Sequence, residues 1–89
     1  MNYCGLDLGK KSSRFCVMTK NRRIVREAGV KMRADRLTEV FGSMPPMRIA
    51  LEACGNGFWV ADLLEEMGHT PIVVDPGRVK AIGAARSAR

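Results

Sequence analysis

With 89 residues, of which 46% are hydrophobic, the chain is long enough for one small domain and too apolar for a disordered segment. Fifteen Lys and Arg residues against nine Asp and Glu residues give a net charge of +6, which favours nucleic acid as a partner ahead of a membrane surface. No apolar run approaches the roughly 20 residues of a membrane span, and the amino terminus lacks the layout of a signal peptide. We therefore expect a cytoplasmic protein with no membrane partner.

The first third of the chain contains three strand-like runs. Residues 2–8 alternate with the two-residue period of a strand, and residues 14–19 and 24–30 are further short runs of this kind. The links between these runs, residues 10–13 and 20–23, are short and polar, as in hairpins. The pattern predicts an antiparallel meander of three strands.

A helix is predicted to begin at Ala34, because the apolar residues from there to Phe41 fall on one helical face before Gly42 ends it. A fourth strand, a second helix with Asn56 as its cap, a fifth strand and a third helix are predicted to follow. Their expected bounds are residues 48–52, 58–67, 70–74 and 78–85.

This order of elements, β-β-β-α-β-α-β-α, predicts an α/β fold built on a mixed five-stranded sheet. Strands one to three would be antiparallel, and right-handed crossovers would place strands four and five parallel to strand one on its open side. This is the ribonuclease H-like topology, which sugar kinases and actin-like ATPases share. No linker divides the chain, so residues 1–89 are expected to form a single domain.

Two acidic residues end apolar strands in this arrangement. Asp7 ends the first strand and Glu52 ends the fourth, and parallel neighbouring strands would bring both to one edge of the sheet. Adjacent carboxylates repel unless one is protonated or a cation lies between them, and oxygen ligands suit Mg²⁺ or Mn²⁺ rather than Zn²⁺. The pattern alone leaves two interpretations open. Either Asp7 and Glu52 are a pair of metal ligands, or Asp7 is a turn residue and Glu52 is solvated.

Three segments, GLDLGKKSSRFCVM, IALEACGNGFWVADLLEEMGH and IVVDPGRVKAIGAAR, span nearly the whole chain. In order and spacing they resemble the N-terminal RuvC-like domain of DEDD-type insertion-sequence transposases, relatives of the pilin-gene inverting recombinases and now known as bridge-RNA-guided recombinases. The most specific match is the EACG block that starts at Glu52, with the aromatic pair Phe58-Trp59 after it. The DPGRV block at Asp75 is less specific, because the family more often has Asn or Ala before this proline.

The resemblance implies divalent-metal-dependent DNA strand cleavage and exchange in DNA transposition, guided by a structured RNA. Asp7 and Glu52 match the first two acids of the DEDD set and would bind Mg²⁺ or Mn²⁺. The other two acids belong to a K-x-D-x-x-D motif expected just beyond Arg89, and the serine nucleophile belongs to a separate carboxyl-terminal domain. The chain is therefore expected to be a partial RuvC-like domain that holds metal weakly and shows little or no catalysis alone.

Basic residues are expected to contact the phosphates of DNA. Lys10 and Lys11 directly follow the first strand, and Arg78, Lys80 and Arg86 make the end of the chain basic.

The remaining candidate residues are aromatic side chains, one histidine and the cysteines. Phe58 is expected in the core, whereas base stacking and a protein interface are both open for Trp59. His69 is expected to be a surface loop residue without a functional role. The three cysteines have neither disulfide nor zinc-site spacing, and Cys4 and Cys16 are expected to be small buried residues.

Two other classes of protein remain open. A non-catalytic nucleic-acid-binding or dimerisation module would have the same fold without the chemistry. An actin-like or sugar-kinase-type ATPase fragment would use the D-x-G sequence at Asp7 in a phosphate loop. Apolar helix faces left uncovered by an incomplete fold also predict a homo-oligomer.

Overall fold

A computed structural model of the chain describes residues 1–52, 55 and 57–74. Five strands and two helices follow one another there in the expected order, with bounds that differ from the predicted ones by no more than two residues. The predicted third helix and the proposed cap Asn56 lie outside the described residues. The elements are β1 (Tyr3–Asp7), β2 (Ser12–Met18), β3 (Ile24–Lys31), α1 (Ala34–Phe41), β4 (Arg48–Glu52), α2 (Gly57–Glu66) and β5 (Thr70–Val74).

The strands form one mixed sheet in the order β3-β2-β1-β4-β5. β1 pairs antiparallel with β2, and β2 with β3, because each pair is joined by a link too short for a crossover. α1 and α2 connect strands that run in the same direction, and β4 lies parallel to both β1 and β5. The predicted mixed α/β sheet is confirmed, including the parallel placement of strands four and five.

The hydrophobic core lies between one face of the sheet and the two helices. Alternate residues of the central strands, such as Leu6, Phe15 and Ile49, are at most 2% exposed and pack against the apolar faces of α1 and α2. The intervening residues point to the opposite face, which carries Asp7 and Tyr3. In the described part of the chain, neither helix has the length and apolar character needed to cross a membrane.

The two described cysteines lie on opposite faces of the sheet. Cys4 is buried in the core, as expected, but Cys16 is only half-buried, because strand alternation turns it away from the helices. Both are free thiols. Cys54 lies outside the described residues.

The expectation that His69 is a surface loop residue is wrong. Its side chain is 3% exposed, and Nδ1 accepts a hydrogen bond from the backbone N–H of Met47 at 3.3 Å. Nε2 lies 2.7 Å from the carbonyl oxygen of Phe41, so the ring carries its proton on Nε2 and donates there. A lone histidine after a helix-ending glycine gave no sign of these partners, because both come from distant segments that only the tertiary fold brings together.

Candidate metal and nucleic-acid site

Asp7 and Glu52 occupy matching positions on neighbouring parallel strands. The register pairs Tyr3 with Arg48 and Gly5 with Ala50. Extended by two residues beyond the last pair, the same offset would align Asp7 with Glu52. Neighbouring strands lie about 4.8 Å apart, so the two acidic residues end side by side at the carboxyl edge of the sheet. Asp7 is exposed and Glu52 is half-buried.

The first residue of α2 packs directly against Glu52. Gly57 is buried, and a Cβ atom at this position would overlap the backbone carbonyl oxygen of Glu52. The same Cβ would lie 3.8 Å from Cδ1 of Leu8, which follows Asp7. A residue without a side chain at position 57 therefore lets the start of α2 approach the ends of β1 and β4 together.

A buried serine fixes the loop between β1 and β2. Ser13 is 2% exposed, and its Oγ accepts a hydrogen bond from the backbone N–H of Gly9 at 3.3 Å. The same Oγ lies 2.6 Å from Sδ of Met32, whose backbone N–H donates to the carbonyl oxygen of Lys11 at 2.9 Å. These contacts hold the loop in place, and Lys10 and Lys11, which follow the end of β1, are exposed in it.

Two further cations at this edge were not among the residues predicted from the sequence. Arg14 of β2 is the cross-strand partner of Asp7. Its side chain extends over β3, where Nη1 lies 3.9 Å from the position that a Cβ atom would take on Gly29. Lys31 ends β3 opposite Ser12 and is also exposed. Both could have been found by counting the hairpin registers outward from Asp7, because the links are short.

The expectation that Phe58 belongs to the core is wrong. Phe58 is 58% exposed and Trp59 is 38% exposed. The buried face of α2 consists of Gly57, Val60, Ala61 and Leu64. These are positions i, i+3, i+4 and i+7 of one helical face, which begins one residue before Phe58.

The oxygen donors at the carboxyl edge fit a hard divalent cation. Mg²⁺ is commonly held by one or two carboxylates, with water in its other positions, and Asp7 and Glu52 supply this kind of donor set. Among residues 1–52, 55 and 57–74, no group of three His, Cys, Asp or Glu side chains is placed to hold a metal. His69 lies at the opposite edge of the sheet, where β4 and β5 begin. The predicted DNA-binding residues Arg78, Lys80 and Arg86 lie outside the described residues.

The chain is similar in sequence to part of a known protein. No family model matches the chain. A protein of Pseudomonas aeruginosa described as "Probable family 20 transposase" is 33% identical to it over 76 residues, which is 85% of this chain. The aligned region is 22% of that protein, so the chain spans about a fifth of the length of its relative. The chain is thus similar to one part of a much longer transposase.

Proposed function

We propose that the chain is part of a ribonuclease H-like catalytic domain of the DEDD type, which acts in DNA transposition by metal-dependent strand cleavage and exchange. The observation that carries the proposal is the alignment of Asp7 with Glu52 at the ends of two parallel neighbouring strands. The similarity to a transposase and the order of the five strands also support it.

In this proposal Asp7 and Glu52 hold Mg²⁺ or Mn²⁺ at the carboxyl edge. Bound there, the metal would polarise a phosphodiester group and stabilise the charge that develops on its oxygens. Two carboxylates leave most of the coordination to water, so we expect weak binding and little or no strand cleavage by these 89 residues alone.

The basic residues around the edge hold the nucleic-acid backbone in place. Lys10 and Lys11 project from the fixed loop, and Arg14 and Lys31 extend the positive surface on the far side of Asp7. Such contacts supply affinity and orientation with little sequence information. Sequence selection would then come from elsewhere, and pairing with a structured guide RNA is the source that we propose.

The segment after β5 would add to this surface. Arg78, Lys80 and Arg86 are proposed as further phosphate contacts, because they concentrate positive charge in the chain that follows the last described strand.

Two double charge reversals test the phosphate contacts proposed for Lys10 and Lys11. The test variant is Lys10→Glu/Lys11→Glu, and the matched control is Arg22→Glu/Arg23→Glu. Arg22 and Arg23 lie in the β2–β3 hairpin, at the opposite edge of the sheet from Asp7. In fluorescence anisotropy with labelled DNA, we expect the lysine variant to bind at least about tenfold more weakly. It should also lower the slope of log affinity against log salt by about two. The arginine variant should bind nearly as well as the wild type, and equal losses in the two variants would contradict the proposal.

Two other outcomes would favour the other classes of protein. DNA binding that Mg²⁺ does not strengthen, and that Asp7→Asn and Glu52→Gln do not change in the presence of Mg²⁺, would indicate a non-catalytic binding module. Tight ATP binding without DNA binding would indicate an ATPase fragment.

A further inference from the structure

Two aromatic side chains are exposed at the same end of the sheet as Asp7 and Glu52, on the side that the helices cover. Phe58 and Trp59 occupy the first turn of α2, and they are 58% and 38% exposed. The close packing of Gly57 against the backbone of Glu52 and the side chain of Leu8 places this turn at the ends of β1 and β4. Phenylalanine is among the residues most often buried in folded proteins, so adjacent exposed rings at one edge form an unusual surface.

The charges on α2 restrict how a nucleic acid can reach these rings. The exposed side chains of the later turns, Asp62, Glu65 and Glu66, are all acidic and would repel phosphates. Positive charge lies instead beyond the start of the helix, on Lys10 and Lys11. A polyanion would therefore approach from the sheet edge, with its backbone on the lysines and its bases facing the first turn of α2.

We propose that Phe58 and Trp59 form a stacking platform for unpaired nucleobases, so that the edge binds single-stranded or locally opened nucleic acid in preference to a continuous duplex. The proposal rests on the nucleic-acid role argued above and narrows its substrate class. Aromatic rings bind the faces of bases of any sequence, which a duplex keeps covered by stacking on neighbouring base pairs.

The variants Phe58→Ala and Tyr3→Ala test the platform by affinity. Tyr3 is 39% exposed but lies at the opposite end of β1, so its removal deletes an exposed ring without touching the edge. We expect Phe58→Ala to bind an unpaired oligonucleotide about five- to thirtyfold more weakly, with a much smaller change for duplex DNA. Tyr3→Ala should bind both as the wild type does. The stacking platform would be contradicted if Tyr3→Ala lost as much affinity as Phe58→Ala. It would also be contradicted if Phe58→Ala lost as much affinity for duplex DNA as for the unpaired oligonucleotide.

Photocrosslinking locates the contact and does not depend on how well a variant folds. An oligonucleotide carrying 5-iodouracil, irradiated in complex with the wild-type chain, should crosslink to the peptide that contains Phe58 and Trp59. Crosslinks confined to the peptide with Tyr3 would contradict the proposal, and so would crosslinks spread evenly over the surface.

The pattern of results separates this inference from the proposed function. Only the stacking platform fails if Lys10→Glu/Lys11→Glu abolishes binding, Phe58→Ala keeps the wild-type affinity and no crosslink forms on the peptide that contains Phe58 and Trp59. If the chain binds neither single strand nor duplex at low salt, the nucleic-acid role itself fails.

Discussion

At the residue scale, the alternation of side chains along β1 and β4 keeps the two acidic residues out of the hydrophobic core. Leu6 and Leu51 are completely buried, and the next residue along each strand, Asp7 and Glu52, turns to the opposite face. A shift of one residue in either strand would place a carboxylate in the core and a leucine in solvent. The burial of these two leucines therefore stabilises the register on which the site depends.

Cys4 is the residue whose ionisation the fold changes most among those described. Its burial raises the pKa of the thiol from 9.0 to about 12. Between these values the unfolded chain loses the proton while the folded chain keeps it. The contribution of Cys4 to stability is thus fully present below pH 9.0 and is lost as the pH rises towards about 12.

We predict that the free energy of unfolding of the wild type falls more steeply above pH 9 than that of Cys4→Ala. The steepest extra slope is about 1.4 kcal/mol per pH unit, because one proton is released on unfolding. Urea denaturation at a series of pH values measures both slopes, and ionisations that the two proteins share cancel in the comparison. If the free energies of unfolding of the two proteins fell in parallel above pH 9, the ionisation of Cys4 would not be coupled to unfolding.

Particular residues show how far the candidate site could be predicted. Asp7 and Glu52 could be placed because they follow readable apolar strands, and the order of elements made those strands neighbours. The prediction for Phe58 is wrong, although the sequence contains evidence against it. A buried face that started at Phe58 would include Asp62 and Glu65, four and seven positions later. The face that starts at Gly57 contains no charged residue.

At the scale of elements, His69 joins three segments at the edge opposite the candidate site. It accepts a hydrogen bond from the backbone N–H of Met47, just before β4, and donates one to the carbonyl oxygen of Phe41, at the end of α1. It also directly precedes β5. The rings of His69 and Phe41 also meet edge to face, with centroids 6.2 Å apart. The histidine therefore ties α1 to the starts of the two strands that follow it.

We predict that His69→Ala lowers the free energy of unfolding by about 2–4 kcal/mol, because it leaves a buried N–H without its partner and opens a cavity. Glu65→Ala, on the exposed face of α2, is the control and should change stability by less than about 0.5 kcal/mol. Urea denaturation of both variants measures the difference. A His69→Ala midpoint equal to that of the control would contradict the structural role.

The elements were predictable where local signals decide them. The short polar links fixed the antiparallel pairing of β1, β2 and β3, and the change of period at Ala34 marked the first helix. The contacts of His69 were not predictable, because they join residues up to 28 positions apart and depend on the finished fold. Local periodicity carries no information about such distant partners.

At the scale of the whole molecule, the sheet has two different faces. The described helices pack on one face, while the other carries the acidic pair at one end and partly exposed apolar side chains elsewhere, including Tyr3 and Ile72 at 39% and 41% exposure. The expected homo-oligomer stays a prediction, and this second face is where the described apolar surface would support one. The net charge of +6 favours a polyanion at the basic edge.

The central claim, that Asp7 and Glu52 share one divalent cation, is tested most directly by titrating the chain with Mn²⁺ as a paramagnetic substitute for Mg²⁺. We predict that amide NMR signals from the ends of β1 and β4 broaden first, and that Asp7→Asn and Glu52→Gln each weaken binding about tenfold or more. Because one ion would need both side chains, the double variant should lose much less than the product of the single losses. Glu65→Gln, at a distant exposed carboxylate, should bind as the wild type does. Broadening that begins elsewhere, or that neither substitution changes, would contradict a shared metal site.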